Sequence, residues 1–122
     1  MKKVILDTNF ILTCIKQKID FFEDLKFMGM QISIPKQVVK EIEEITNSKK
    51  KLHFKEDAKL ALRLLEKNSF KEIDLKEKNV DNGIVKYSNK HDTIVATLDR
   101  EIKNKIKNSK LVIRGKKKLE II

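Results

Sequence analysis

The chain predicts an α/β fold: a three-layer α/β/α sandwich around a mostly parallel sheet of about five strands. Short runs of β-favouring apolar residues alternate from end to end with longer stretches of helical periodicity. Two of those runs, Val4-Ile5-Leu6 and the Ile94-Val95-Ala96 centre of Thr93-Ile94-Val95-Ala96-Thr97, are apolar at successive positions, as in strands covered on both faces. Each is followed closely by an aspartate, Asp7 in one case and Asp99 in the other. At 122 residues the chain supplies one core and is too short for two, and no linker, repeat or low-complexity segment divides it. Residues 1–122 therefore read as a single domain.

Taken in order, Val4 to Leu6 form the first strand, and Phe10 to Cys14 a short helical segment. Ile19 to Met28 continue as an amphipathic helix, with Phe21, Phe22, Leu25 and Met28 at helical spacing and Gly29 as its end. Gln31 to Ile34 form a short strand. Pro35 opens the next helix from its favoured first position and leads through Val38, Val39, Ile42 and Ile45. Thr46 to Lys51 is a polar loop with three successive lysines, and Phe54 to Lys67 a long helix with Ala58, Ala61, Leu62 and Leu65 inward and Leu60 and Leu64 widening that face. Phe70 to Leu75 gives a third strand, and Val80 to Gly83 a loop running into a helix that carries Ile84, Val85 and Tyr87. After the strand at 93–97, Arg100 to Lys107 is a basic helix with Ile102 and Ile106 inward. Leu111 to Ile113 is the last strand, before a basic Gly115-Lys116-Lys117-Lys118 segment and the apolar terminus.

Composition narrows the function. An apolar content of 40%, evenly spread, excludes general disorder. No apolar run approaches the roughly 18 residues of a membrane span, and Met1-Lys2-Lys3 leads straight into a strand, so the expectation is a cytoplasmic protein without a membrane partner. Cys14 lies within an apolar pattern and reads as a buried small hydrophobe. His53 and His91 have no cysteine or histidine at zinc-ligand spacing. With 28 Lys and Arg against 18 Asp and Glu, the net charge of +10 favours polyanions, nucleic acid above all. A lysine-rich surface of thermophilic or A/T-rich origin would look the same.

Four acids stand at element boundaries. Asp7 and Asp99 follow strands at their carboxyl tips, while Glu41 and Asp81 lie near the starts of helices. In a right-handed doubly wound sheet these places converge on one edge, where such sheets bind ligands. Clustered carboxylates raise one another's pKa and are stable together when a cation neutralises them; an all-oxygen set points to Mg2+ or Mn2+, one ion or two. Such ions support phosphodiester cleavage. Taken singly, each is more often structural, Asp7, Asp81 and Asp99 as helix caps and Glu41 as a surface residue; their joint placement is what points to a site. Asp92 precedes its strand and belongs to the opposite end of the sheet.

The segments LDTNFIL (6–12), IPKQVVKEIEEI (34–45), VDNGIVKYSNKHDTIVATLDREIKNKI (80–106) and VIRGKKKLEI (112–121) together resemble the PIN-domain ribonucleases over nearly the whole chain. The later segments are most similar to the archaeal and eukaryotic proteins of rRNA processing, and the toxin-antitoxin branch is more distant. The resemblance implies RNA hydrolysis with a divalent metal, with Asp7, Glu41, Asp81 and Asp99 as the acidic set and Thr8, Asn9 and Thr97 as polar support. Lys49, Lys50, Lys51, Arg100, Lys116, Lys117 and Lys118 are the candidate RNA contacts. The chain departs from the family pattern at Asn82, where many relatives carry a second acid, and at Leu98, where Asn or Arg is common.

The leading expectation is a metal-dependent endoribonuclease of rRNA processing or RNA turnover, with RNA, a pre-ribosomal particle and a second copy of the chain as candidate partners. The alternatives are a catalytically silent RNA-binding module of ribosome assembly and the toxin of a toxin-antitoxin pair. A phosphotransferase with Asp7 as nucleophile is disfavoured, because residue 9 is Asn9 where Asp-x-Asp-x-Thr enzymes need a second aspartate.

Overall fold

Strand order is what places the strand that leads to Asp7 beside the strand that leads to Asp99. The computed structural model describes residues 2–115 and 117–122. Its elements in chain order are β1 (Lys2–Leu6), α1 (Thr8–Lys16), α2 (Phe21–Phe27), β2 (Met30–Pro35), α3 (Lys36–Thr46), α4 (Leu52–Lys67), β3 (Lys71–Ile73), α5 (Val80–Lys90), β4 (Ile94–Ala96), α6 (Arg100–Lys105), β5 (Lys110–Arg114) and β6 (Lys118–Ile121). Among the described residues these strands form one six-stranded sheet in the order β3-β2-β1-β4-β5-β6. Five run parallel and β6 returns antiparallel beside β5. The chain thus winds outward from β1 to β3, jumps back to β4 on the other side of β1, and winds outward again. The crevice between the carboxyl ends of β1 and β4 is the switch point of the winding, the place where open α/β sheets bind ligands.

The register carries this to single residues: Leu6 lies opposite Ala96, so Asp7 and Thr97 emerge as neighbours, and the Asp7 amide donates to the Ala96 carbonyl at 3.0 Å. Right-handed crossovers put α1 to α4 on one face and α5 and α6 on the other. Contacts among α1, α3 and α4, and separately between α5 and α6, agree with that division. Phe10, Ile11, Leu25, Ile42, Ala61 and Leu6 are fully buried, with Ile84, Ile102 and Leu111 completing the core.

Several local expectations change. The terminal apolar segment pairs with β5 as a sixth strand, closing an edge that Leu111 to Ile113 would otherwise leave bare. Pro35 is the last residue of β2 and the N-cap of α3, its extended ψ of 140° placing it before the helix and not within it. Val80 to Gly83 is the first turn of α5, not a loop, because Asn79 accepts from the Asn82 amide and caps it. Gly83 is a packing residue there: a Cβ would lie 2.9 Å from Leu75. Leu60 is 52% exposed and lies outside the core, while Leu62 and Leu64 are partly buried. Cys14 is fully buried among apolar side chains, and burial pushes its thiol up to about 12. Among the described residues no helix is long and apolar enough to cross a membrane.

Candidate functional site

Asp7 is a helix cap that stands at the switch point of the sheet. Its extended φ and ψ make it the N-cap of α1, and Oδ1 accepts the Thr8 amide at 2.8 Å. Its second oxygen, Oδ2, accepts the Thr97 hydroxyl at 3.0 Å. The capping reading of this residue holds through Oδ1, while Oδ2 is left to the side chain at the tip of the neighbouring strand. Thr97 in turn accepts the Asp99 amide at 3.1 Å, which ties the loop after β4 to the tip of β1. The Asp99 carboxylate caps α6 through the Glu101 amide at 2.8 Å.

On the other side, Thr8 donates its hydroxyl to Glu41 Oε1 at 2.5 Å. Glu41 occupies the second turn of α3 and is half-buried, whereas Glu43 and Glu44 face solvent. A clamp orients this helix against the loop after β3: Gln37 Nε2 donates to Asp74 at 2.7 Å, Gln37 Oε1 accepts the Leu75 amide at 3.2 Å, and Lys36 pairs with Asp74 at 3.1 Å. Those contacts, with the Lys76 amide, hold the exposed Asp74 carboxyl down to about 2, the Gln37 bond being the largest cause. The same loop leads through Asn79 to Asp81 in the first turn of α5.

Electrostatics link the acids in a chain. Asp7 is only 3% exposed, and its carboxyl is pushed up to about 6, chiefly by burial. The Thr97 hydroxyl and Thr8 amide oppose that shift, while the like charges of Asp81 and Glu41 add to it. Asp81, on an exposed residue, is also raised: partial shielding from water comes first, then the charges of Asp99 and Glu101, with Lys105 opposing. Asp7 thus couples to Glu41 and Asp81, and Asp81 to Asp99. Among the described residues, no three acidic, histidine or cysteine side chains are drawn together tightly enough to form a ready coordination cage.

Glu101 is the acid that sequence reasoning missed. It borders a small hollow of about 140 Å3 with Asp81, Asn82 and Lys105. Its signal was local: two residues after Asp99 on a helix start, it had to lie in the same first turn. Asn82, one of the two expected departures from the family pattern, stands in this hollow, and the other, Leu98, packs half-buried against the core. Asn9 is exposed on the first turn of α1.

The basic candidates scatter. Lys49 and Lys50 are exposed in the turn between α3 and α4, and Lys51 caps α4. Arg100 is exposed at the start of α6, and Lys117 and Lys118 are exposed at the β5–β6 hairpin, on the same sheet edge as Asp7 and Asp99. Lys116 lies outside the described residues. The cations beside the acids are others: Lys36, Lys40 and Lys78 line an open cleft with Glu41 and Glu77.

A carboxylate-lined crevice at the switch point of a parallel sheet, covered by helices on both faces, defines an α/β protein of PIN-like architecture. The chain belongs to the PIN-like domain family, whose model matches residues 4–117. Ribonuclease VapC4 of Methanocaldococcus jannaschii is similar to it at 30% identity over 128 residues, spanning 99% of this chain and 97% of that protein. Among solved structures, the PIN domain endonuclease Utp24 superposes with a TM-score of 0.78 at 28% identity, covering 98% of this chain and 90% of that one. A domain of a functionally unknown Methanocaldococcus jannaschii protein shares the fold, with a TM-score of 0.63 at 19% identity over 100% of this chain and 99% of that one. The Rickettsia felis VapBC2 complex bound to promoter DNA does so more loosely, at 0.54 and 14% over 88% and 98%.

Proposed function

We propose that the chain is a metal-dependent endoribonuclease that hydrolyses RNA phosphodiester bonds. The observation that carries the reading is the Asp7 carboxylate, buried at the switch point and flanked by the charges of Glu41 and Asp81. A buried anion among like charges is costly unless something positive joins it. Relatives named as a ribonuclease and an endonuclease support the same reaction class.

The donors are all oxygen, which suits Mg2+ or Mn2+. The looseness of the cluster suits Mg2+ as well, since that ion takes one or two carboxylates and keeps several waters. Asp7 and Asp99 would hold the ion directly, with Glu41 and Asp81 completing the surroundings and positioning water. When bound, the ion supplies charge stabilisation at phosphate and activation of water. Thr97 and the Thr8 amide fix the Asp7 carboxylate in one orientation, and Thr8 does the same for Glu41. Lys40 and Lys78, bordering the cleft beside Glu41, hold the RNA backbone. Processing of rRNA in a pre-ribosomal particle in the cytoplasm, or general RNA turnover, is the setting this reading favours. The exposed Phe27, Leu52 and Leu60 offer apolar surface to a second copy.

Cleavage of a labelled structured RNA in Mn2+, in EDTA and with Asp7→Asn tests the proposal. Cleavage in Mn2+ alone, lost in the variant, is expected. Cleavage in EDTA or full activity of Asp7→Asn overturns it.

The lysines that border the cleft beside Glu41 favour one second reading, a silent RNA-binding module on the same fold. Thermal unfolding in millimolar Mg2+ separates the two, because an ion that binds only the folded state raises the unfolding temperature. An unchanged midpoint supports the silent module.

A further inference from the structure

We infer that the end of the sheet remote from the acids carries a second contact for single-stranded RNA, built on the stacked rings of Tyr87 and His91 and the lysines around them. The identity of the ligand as RNA rests on the function proposed above; the binding surface itself rests on its own geometry.

A hollow opens at the amino-terminal edge of the sheet, lined by Lys2 and Lys3 of β1, Tyr87 and Lys90 of α5, and His91 just beyond it. Among the described residues Asp92 is the single acid on its wall, so positive charge predominates. None of these three lysines takes part in an ion pair among the described residues. They are available to phosphates, and each phosphate neutralised releases counterions and steepens the salt dependence of binding.

The aromatic pair supplies what lysines lack. Tyr87 and His91, one helical turn apart, stack with centroids 4.0 Å apart and planes 15° from parallel. His91 Nδ1 lies 2.9 Å from the Tyr87 carbonyl oxygen. A carbonyl only accepts, so Nδ1 carries the proton and the ring is held against Tyr87 with Nε2 turned away from that bond. Tyr87 is half-buried and His91 exposed, which leaves the outer face of the imidazole open to a third ring. A nucleobase extends such a stack, and base–aromatic stacking tolerates any sequence. A duplex cannot use the platform without unstacking its own bases, and an acidic peptide would use the lysines but not the rings. Lys2 and Lys3 lie about 15 Å along β1 from Asp7 at ~3.3 Å per residue, so one RNA strand can engage both ends of the sheet and gain affinity that a shorter strand lacks.

The test is fluorescence anisotropy in EDTA with a labelled 20-nucleotide single-stranded RNA, a 6-nucleotide RNA and a 20-nucleotide single-stranded DNA. Wild type, His91→Ala, His91→Phe and Lys3→Ala/Lys90→Ala are compared, with circular dichroism and unfolding midpoints confirming folding. His91→Ala should weaken the 20-nucleotide RNA at least fivefold, and His91→Phe should restore it, since a ring is retained. The double lysine variant should reduce the slope of log affinity against log salt by about 1 to 2. The preference for the long RNA over the short one should collapse in each weakened variant. Affinity of His91→Ala within twofold of wild type overturns the proposal, as does a loss that His91→Phe fails to restore. Equal dependence of DNA binding on His91 overturns the assignment to RNA. Cleavage in Mn2+ is scored separately, so an inactive protein that still shows the His91 dependence defeats the nuclease reading and leaves this surface standing.

Discussion

Thr97 donates its hydroxyl to Oδ2 of Asp7 across 3.0 Å, joining residues 90 positions apart in the chain. The Thr97 hydroxyl oxygen in turn accepts the Asp99 amide, so one threonine aligns both strand-tip aspartates. Thr97→Val keeps the shape and removes the hydroxyl. It should cost about 1.5–3 kcal/mol at pH 8, the range for losing a buried bond to a charged group, and at least tenfold in RNA cleavage. Thr97→Ser should recover most of both. Chemical denaturation paired with cleavage rates checks this; an active Thr97→Val would remove Thr97 from the site.

The raised Asp7 pKa makes stability depend on pH in a defined direction. The folded carboxyl titrates near 6 and the unfolded one near 3.8, so between those values the folded state holds the extra proton. In EDTA, stability contributed by this group is full below about pH 4, falls as pH rises through 6, and is flat above. The total is on the order of 3 kcal/mol at 1.36 kcal/mol per pKa unit. Asp7→Asn should lack this fall. It should be more stable than wild type by about 1–2 kcal/mol at pH 8, after allowance for an amide that cannot accept both bonds, and no more stable at pH 4. Denaturant midpoints across that range measure it, and they also show that lost cleavage in this variant is not lost folding.

Gly83 permits the close approach of α5 to Leu75. Alanine is the better helix former by about 1 kcal/mol, yet its Cβ would meet Leu75 at 2.9 Å. Overpacking of this kind costs about 1–3 kcal/mol, so Gly83→Ala should be destabilising overall. Because Asp81 lies two residues earlier on the same turn, cleavage should also fall. A thermal midpoint equal to or above wild type would show that Leu75 yields without strain.

Glu101 shares the hollow with Asp81 and raises its pKa. Glu101→Gln should bring the Asp81 titration back toward the ordinary carboxylate range, visible by NMR of the side-chain carboxyl, and should leave the fold intact because Glu101 is exposed and caps through its backbone amide. If the two acids act jointly on a cation, Mg2+ affinity should drop severalfold in the same variant. An unmoved Asp81 titration would separate the residues.

Local pattern alone determined the alternation of strands and helices, the two apolar strands that end beside Asp7 and Asp99, and the placement of Glu41 and Asp81 near helix starts. Such features are written in windows of a dozen residues, where side-chain periodicity reports which face is buried. It also placed Asp92 correctly at the far end, since a residue before a parallel strand cannot reach its tip. The tertiary structure alone decided how the acids are joined: Thr97 to Asp7, Thr8 to Glu41, and Glu101 beside Asp81. It also decided that Lys40 and Lys78, not the lysine runs, border Glu41, and that Lys118–Ile121 add a sixth strand. The physical reason is the return of the chain from β3 to β4 beside β1. That crossover brings distant residues within hydrogen-bond reach, and no periodicity in a local window encodes it.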